Sequence, residues 1–392
     1  MAKHIFLFDT VEQYNEKREN DYIEPWLSYT RENEKVNLNK SEEEKLLATP
    51  LTFEVSGASE GAYVGWKTSY PEYAKTIQYK KNDGEWTDIT ATEGGNTIDV
   101  ADGDIIQFRG DITAQTNNAW GYYYNGFISS CYVKVYGNIM SMIYSTDFEN
   151  AFSFPSGMTY HLCYLLSNYY GYFYVTDASN LILPATSLAL GCYYGMFYGS
   201  YYLENPPKIL PAMTLEDSCY SEMFFECTSL TTAPELPATT LKQECYYEMF
   251  QGCTSLTTAP ELPAMTLSTH CYQYMFRGCT SLTTAPSILP ATTLTNYCYD
   301  NMFVRCTSLT TAPELPAPTL VSYCYYQMFS GCSKLNYIKC LATSVSATGC
   351  KTNWVSGVQT KAGTFIKAAG ISTSTWTGGI NGIPSNWAVQ DA

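Results

Sequence analysis

The sequence predicts a multidomain chain: an α/β solenoid of about 26 residues per coil, preceded by a small antiparallel β-sandwich and an N-terminal attachment segment. Three observations predict it. The phrase CTSLTTAPELPATTL at Cys227 returns almost letter for letter at Cys253, Cys279 and Cys306. Alternating apolar and polar residues with turn dipeptides between them fill 51–136. Charge is concentrated at the front, with 18 charged residues in 1–49 against 17 in the 160 residues of 181–340.

Taken in order, residues 1–49 read as a short strand, HIFLF, a polar helical stretch around VEQYNEKREN, and YIEPWLSYT, where Glu24-Pro25 breaks any helix. The charged run SEEEK (41–45) follows. Such a segment buries little by itself and is expected to dock on a neighbour through Phe6, Phe8, Tyr14, Pro25, Trp26 and Tyr29. Residues 50–137 are expected to form the sandwich. TIQYKKNDGEWTDIT turns at Asn82-Asp83-Gly84, a hairpin signal, and NTIDVADGDIIQFRGD turns again at Asp102-Gly103.

A solenoid with an N-terminal cap is expected over 138–340, its repeats beginning weakly near Tyr170. Met-Phe recurs at 196, 223, 249, 275, 302 and 328, at intervals of 27, 26, 26, 27 and 26. The longer intervals come from PPKILPA and APSILPA, which carry one residue more than APELPA. Tyr172-Phe173 reads as a degenerate earlier copy. Leu267, Cys271, Met275 and Cys279 lie four apart, which predicts an apolar stripe on a short helix. SLTTAPEL then predicts a short strand and turn, with both proline columns at or beyond the strand end. One unit buries about five large apolar side chains, on the order of 10 kcal/mol. Ordering its backbone costs roughly 1–2 kcal/mol per residue, so a unit must stack on its copies. After Leu341 the period fades and Trp354, Trp376 and Trp387 predict a cap over 341–392.

Composition narrows the function. A formal charge of −15 repels nucleic-acid phosphate and anionic lipid, and no apolar run approaches the roughly 18 residues a membrane helix needs. No export signal is legible at the N-terminus. Fifteen cysteines recur at repeat positions, with seven residues between Cys245 and Cys253, which suits buried free thiols better than a metal site. The three histidines sit in no nucleophile or metal motif, and GxSxG, the P-loop and HExxH are absent. The expectation is a non-enzyme without cofactor or metal.

What remains is a binding surface. A triplet varies between otherwise fixed phrases: Glu216-Asp217-Ser218, Lys242-Gln243-Glu244, Ser268-Thr269-His270, Thr295-Asn296-Tyr297 and Val321-Ser322-Tyr323. A second variable position follows the first tyrosine of each helical stretch: Tyr247, Gln273, Asp300 and Tyr326. Positions that drift inside a fixed repeat are expected to be exposed, either to carry specificity or because nothing constrains them. The threonine column Thr231, Thr257, Thr283 and Thr310 is a further candidate for a glycan-contacting face.

The unit CYYxMFxGCTSLTTAPELPATTL resembles the BspA-like leucine-rich repeats of surface proteins in gut anaerobes, over roughly residues 139–392. That resemblance implies an extracellular adhesin or recognition protein. The segment HIFLFDTVEQYN…EPWLSYT…VNLNK resembles openings of structural proteins in phages of those bacteria, including crAss-like phages. Together they imply a homo-oligomeric virion fibre or decoration protein, made in the host cytoplasm and displayed on the virion surface. Its partners would be other virion proteins, through residues 1–49, and a host-surface glycan or protein. The alternative is a bacterial cell-surface adhesin.

Overall fold

The computed structural model describes residues 41–112, 125–157, 159–169, 171–358 and 362–392. The six expected attachment residues, Phe6, Phe8, Tyr14, Pro25, Trp26 and Tyr29, lie outside them. The SEEEK run becomes helix α1 (Glu42–Leu47), started by a capping box in which Ser41 and Glu44 satisfy each other's backbone N–H groups. It is the one α-helix among the described residues. No helix there is long and apolar enough to cross a membrane.

Two sheets follow. Strands β1 (Leu51–Ser56), β3 (Thr76–Lys81), β4 (Thr87–Thr90), β6 (Ile105–Arg109) and β8 (Tyr132–Asn138) form one, in the order β4-β3-β6-β1-β8. Strands β2 (Tyr63–Thr68), β5 (Asn96–Asp99) and β7 (Asn125–Ser129) form the other, in the order β5-β2-β7. All of these pairs are antiparallel. The β3–β4 hairpin turns on Asn82 at φ 51, as its turn residues require. The turn at Asp102-Gly103 instead carries the chain from one sheet to the other.

The sandwich does not end at residue 137. Strand β9 (Tyr174–Ile182) lies parallel to β8 and extends the first sheet toward the repeats. Phe173, just before it, packs 5.3 Å from Phe53 inside the aromatic cluster of Phe53, Phe108 and Phe127. One continuous apolar core therefore runs from Leu51 to Trp387. The expected degenerate repeat at Tyr172-Phe173 is thus corrected. The earliest coil lies at Tyr160–Asn168, where Leu165-Leu166 takes the Met-Phe place. Leu166 N donates to Met196 O as Phe197 N donates to Met223 O in the next coil.

The expected helix in each repeat does not form. Over Glu244–Cys253 every fourth residue, Glu244, Glu248 and Gly252, is left-handed, with φ of 54, 53 and 77. The N–H groups of Cys245, Tyr247, Met249 and Gln251 close tight turns onto the carbonyls three residues back. Those of Tyr246, Glu248, Phe250 and Gly252 reach the next coil, at Cys271, Gln273, Met275 and Arg277, over 2.8–3.1 Å. Half of the donors a helix would keep for itself thus bond coil to coil. This ribbon has a period of four, so Cys245, Met249 and Cys253 all face inward and the apolar stripe is real although the helix is not.

The expected strand is broken too. SLTTAPEL makes isolated parallel bridges such as Thr258↔Thr284 and Ile288↔Glu314 rather than a ladder. The prolines lie between the bridges, not beyond them: the first bridge precedes Pro260 and Pro286, and the second follows Pro286 and Pro313. Proline has no N–H to donate. Where the motif reads LNYIKC the prolines vanish, and a true strand appears: β10 (Tyr337–Cys340), paired in parallel with β11 (Thr364–Lys367), itself paired with β12 (Ala388–Asp391). The coil register also runs past Leu341, since Gly349, Asn353 and Gly357 repeat the left-handed period of four. Trp354 sits at its end, 6.0 Å from Phe329 and 5.4 Å from Trp376, with its indole N–H donating to Gly382 O at 2.7 Å. The architecture is mostly β, with open sheets and a solenoid-like stack.

Candidate binding surface

Inside the stack, identical residues meet in columns. Six tyrosines (193, 220, 246, 272, 299, 325) and six phenylalanines (197, 224, 250, 276, 303, 329) form two buried ladders with centroids 5.4–6.0 Å apart. All fifteen cysteines are buried and unbridged. Burial pushes their thiols up, to about 12 for Cys219 and Cys271, which makes them poor nucleophiles. One column acts as a clasp: Cys253 Sγ donates to Phe224 O at 3.1 Å, and Cys227, Cys279, Cys306 and Cys332 repeat the bond one coil apart. Among the described residues no cluster of His, Cys, Asp and Glu could hold a metal ion.

The variable positions lie along the turn ribbon, exposed or half-buried except for Ser218 and Asp300, which are buried. The third residue of each triplet is left-handed, and its side chain lies along the stack. His270 and Tyr297 stack at 4.8 Å and 11°, and Tyr297 and Tyr323 at 4.8 Å and 3°. The stack continues onto Gly349, where a Cβ would come within 2.4 Å of the Tyr323 ring. Lys242, Gln243 and Asn296 are exposed, while Glu244, Ser268, Thr269, His270, Thr295 and Tyr297 are half-buried. Gln243 N donates to Asp217 Oδ1 at 3.0 Å, so even an exposed triplet residue is tied to the coil before it.

The second variable column is less free than its sequence drift suggests. Tyr247, Gln273 and Tyr326 are half-buried, but Asp300 is only 4% exposed. It accepts from Gln273 Nε2 at 2.7 Å and from Asn301 Nδ2. Burial pushes its carboxyl up to about 6 against those two bonds. Asp300 is a varying position held inside by hydrogen-bond partners, and the expectation that drift means exposure is corrected here. Beside it, Tyr247 meets Tyr274 edge-on at 5.9 Å, and the Arg277 guanidinium lies 5.2 Å from the Tyr274 ring centre. The threonines Thr231, Thr257, Thr283 and Thr310 are exposed on the other side of the coil.

Two features were not read from the sequence. Glu222, in the second left-handed column, accepts from the hydroxyls of Tyr194 and Tyr164, and burial raises its carboxyl pKa. The larger one is a concentration of exposed tyrosine where the sandwich meets the first coils: Tyr132, Tyr169, Tyr172, Tyr201 and Tyr202 are each 41–56% exposed. The overall count of 35 tyrosines was the only signal, and repetition masked it. No protein-family model, curated protein or solved structure matches this chain.

Proposed function

We propose that the chain is a non-enzymatic fibre or decoration protein of a phage virion. In this reading residues 1–49 attach to other virion proteins, and a BspA-like leucine-rich-repeat array of about 26 residues per coil adheres to a host-surface glycan or protein. The observation that carries the adhesive part is the division of labour within each coil. The inward columns of Cys, Tyr, Met and Phe are held constant and fully buried, while other positions of the same ribbon, most of them exposed or half-buried, change from coil to coil. A rigid backbone carrying variable side chains over many coils suits recognition of an extended partner better than it suits catalysis. The attachment part rests on the resemblance of the N-terminal segment alone.

Immuno-electron microscopy of purified virions tests the placement. Label at regular positions on the particle is expected. Label on the surface of bacterial cells that carry no prophage, and none on virions, would replace the virion reading with the bacterial adhesin.

A further inference from the structure

We infer that the solvent face of the sheet at the β1–β8–β9 junction is a saccharide-binding site, and that its ligand is an uncharged glycan. The inference rests on the adhesive reading above and deepens it by naming a site and a ligand class.

The face is assembled by strand register. Ser56, Tyr132 and Tyr174 lie side by side across β1, β8 and β9, and Glu54, Lys134 and Asp177 form the next row. Thr52, Tyr136 and Asn180 form the third, in which Thr52 is buried and the exposed face ends. On β8 the residues at 132, 134 and 136 share the outward face, because 133 and 135 are buried. The pairing of Asp177 with Asn205 carries the face onto the adjoining coil.

One end of this face is aromatic. Tyr132, Tyr174 and Tyr202 meet edge to face, with centroids 5.4–6.2 Å apart. Tyr132 and Tyr202 are 41% and 45% exposed, unlike the ladder tyrosines of the stack. Alongside lies a cleft of about 220 Å³, lined by Glu54, Lys134, Val135, Tyr136, Asp177, Ser179 and Asn180. The β8–β9 register shifts on either side of Lys134, which lines the cleft.

The chemistry of the two halves is complementary to a sugar. A pyranose presents an apolar C–H face and a rim of hydroxyls. Tyrosine rings receive the first, and carboxylate, amide and ammonium groups hold the second. Asp177 is already positioned, accepting from Ser179 N and Oγ at 2.8 and 2.6 Å and from Asn205 Nδ2 at 3.1 Å. Lys134 pairs with Glu54 at 3.7 Å and Lys208 reaches Asn180 at 3.5 Å. Glu54 and Asp177 face Lys134 and Lys208, and Glu43 also lies within electrostatic reach of Lys208. Acids and bases nearly balance here, in a chain of formal charge −15, so the face strongly favours neither a polyanion nor a polycation. Val135 is the one aliphatic residue of the lining and is itself buried, so the cleft offers little to a protein partner's apolar core.

The test is isothermal titration of the full chain against neutral oligosaccharides of glucose, mannose, galactose and N-acetylglucosamine, with polygalacturonate as the anionic control. Binding to a neutral oligosaccharide is expected. Tyr202→Ala and Tyr132→Ser, both at exposed positions, are each expected to weaken it by about tenfold, with unchanged thermal unfolding. Failure of every neutral oligosaccharide to bind, preference for polygalacturonate, or wild-type affinity in both variants overturns the proposal. Adhesion of the same proteins to host cells is measured in parallel. Adhesion that survives while the sugars fail leaves the adhesive reading standing and removes this site from it. Adhesion lost in Tyr202→Ala without any sugar binding assigns the face to a protein partner instead.

Discussion

The sandwich and the coil stack solve the same packing problem in opposite ways. In the sandwich Phe53, Phe108 and Phe127 come from strands distant in sequence and interlock at 53–74°, with centroids 4.7–4.8 Å apart. In the stack Phe224, Phe250 and Phe276 are copies of one residue and lie nearly parallel, at 3° and 1°. Rings related by coil-to-coil translation keep one orientation, whereas unlike neighbours can choose the edge-to-face geometry. A translational core can be lengthened by adding coils, and a sandwich core cannot. The chain uses the sandwich as a fixed end and the stack as a surface of adjustable length.

The joint between them gives the largest expected effect. Phe173→Ala removes the ring that enters the sandwich cluster from the coil side and should cost about 3–5 kcal/mol. If that ring is the main coupling between sandwich and coils, beside the β8–β9 pairing, differential scanning calorimetry should also resolve two transitions where the parent shows one. A single transition merely shifted down would mean that the cores are coupled by other contacts.

Next comes an irregularity within the comparison. His161 occupies the place of the column cysteines in the earliest coil, fully buried beside Phe154 at 5.2 Å. Burial holds its pKa down at about 4, from an ordinary 6.5. The unfolded chain therefore takes up a proton below about 6.5 while the folded one does not until about 4. Stability should be flat above that window and fall through it as pH drops, by on the order of 3 kcal/mol. His161→Cys, the residue of the later coils, should flatten the dependence in urea melts at pH 7 and pH 4.5. An equal acid loss in that variant would assign the effect to the carboxylates.

Left-handed positions are the next smaller probe. Gly252→Ala places a Cβ 3.0 Å from Glu226 Cγ at φ 77 and should cost about 1–2 kcal/mol. Glu226→Gly, at φ 54 in the same column one coil earlier, should cost nothing or gain a few tenths. Equal losses in chemical denaturation would show that the column does not share one conformation. The smallest effect belongs to the thiol clasp. Cys253→Ser should stay within about 1 kcal/mol of the parent and Cys253→Ala should lose somewhat more. Ser200 already fills that slot in the second coil, donating to Leu166 O at 3.1 Å.

These contrasts also mark what the sequence makes legible. The stacking, the inward Cys, Met and Phe and the tryptophan cap follow from the repeat itself. The helix was an error of period: spacing of four is shared by a helix of 3.6 residues per turn and a ribbon of 4.0. The strict four-residue step from Leu267 to Cys279, and glycine in one column at Gly252, Gly278, Gly331 and Gly357, separate the two. Asp300 misled in another way, because Gln273 and Asn301 supply hydrogen bonds that let a varying position hold a buried acid. The tyrosine face was out of reach, since it exists only when β9 pairs with β8 across some forty residues of chain.

Far-UV circular dichroism of the full chain tests the central claim most directly, namely that each repeat is a ribbon of turns bonded coil to coil and not a helix. The predicted spectrum is of the turn and β type, without the double minimum of α-helix. A pronounced helical double minimum would contradict the account, because every repeat would then be keeping its backbone bonds to itself.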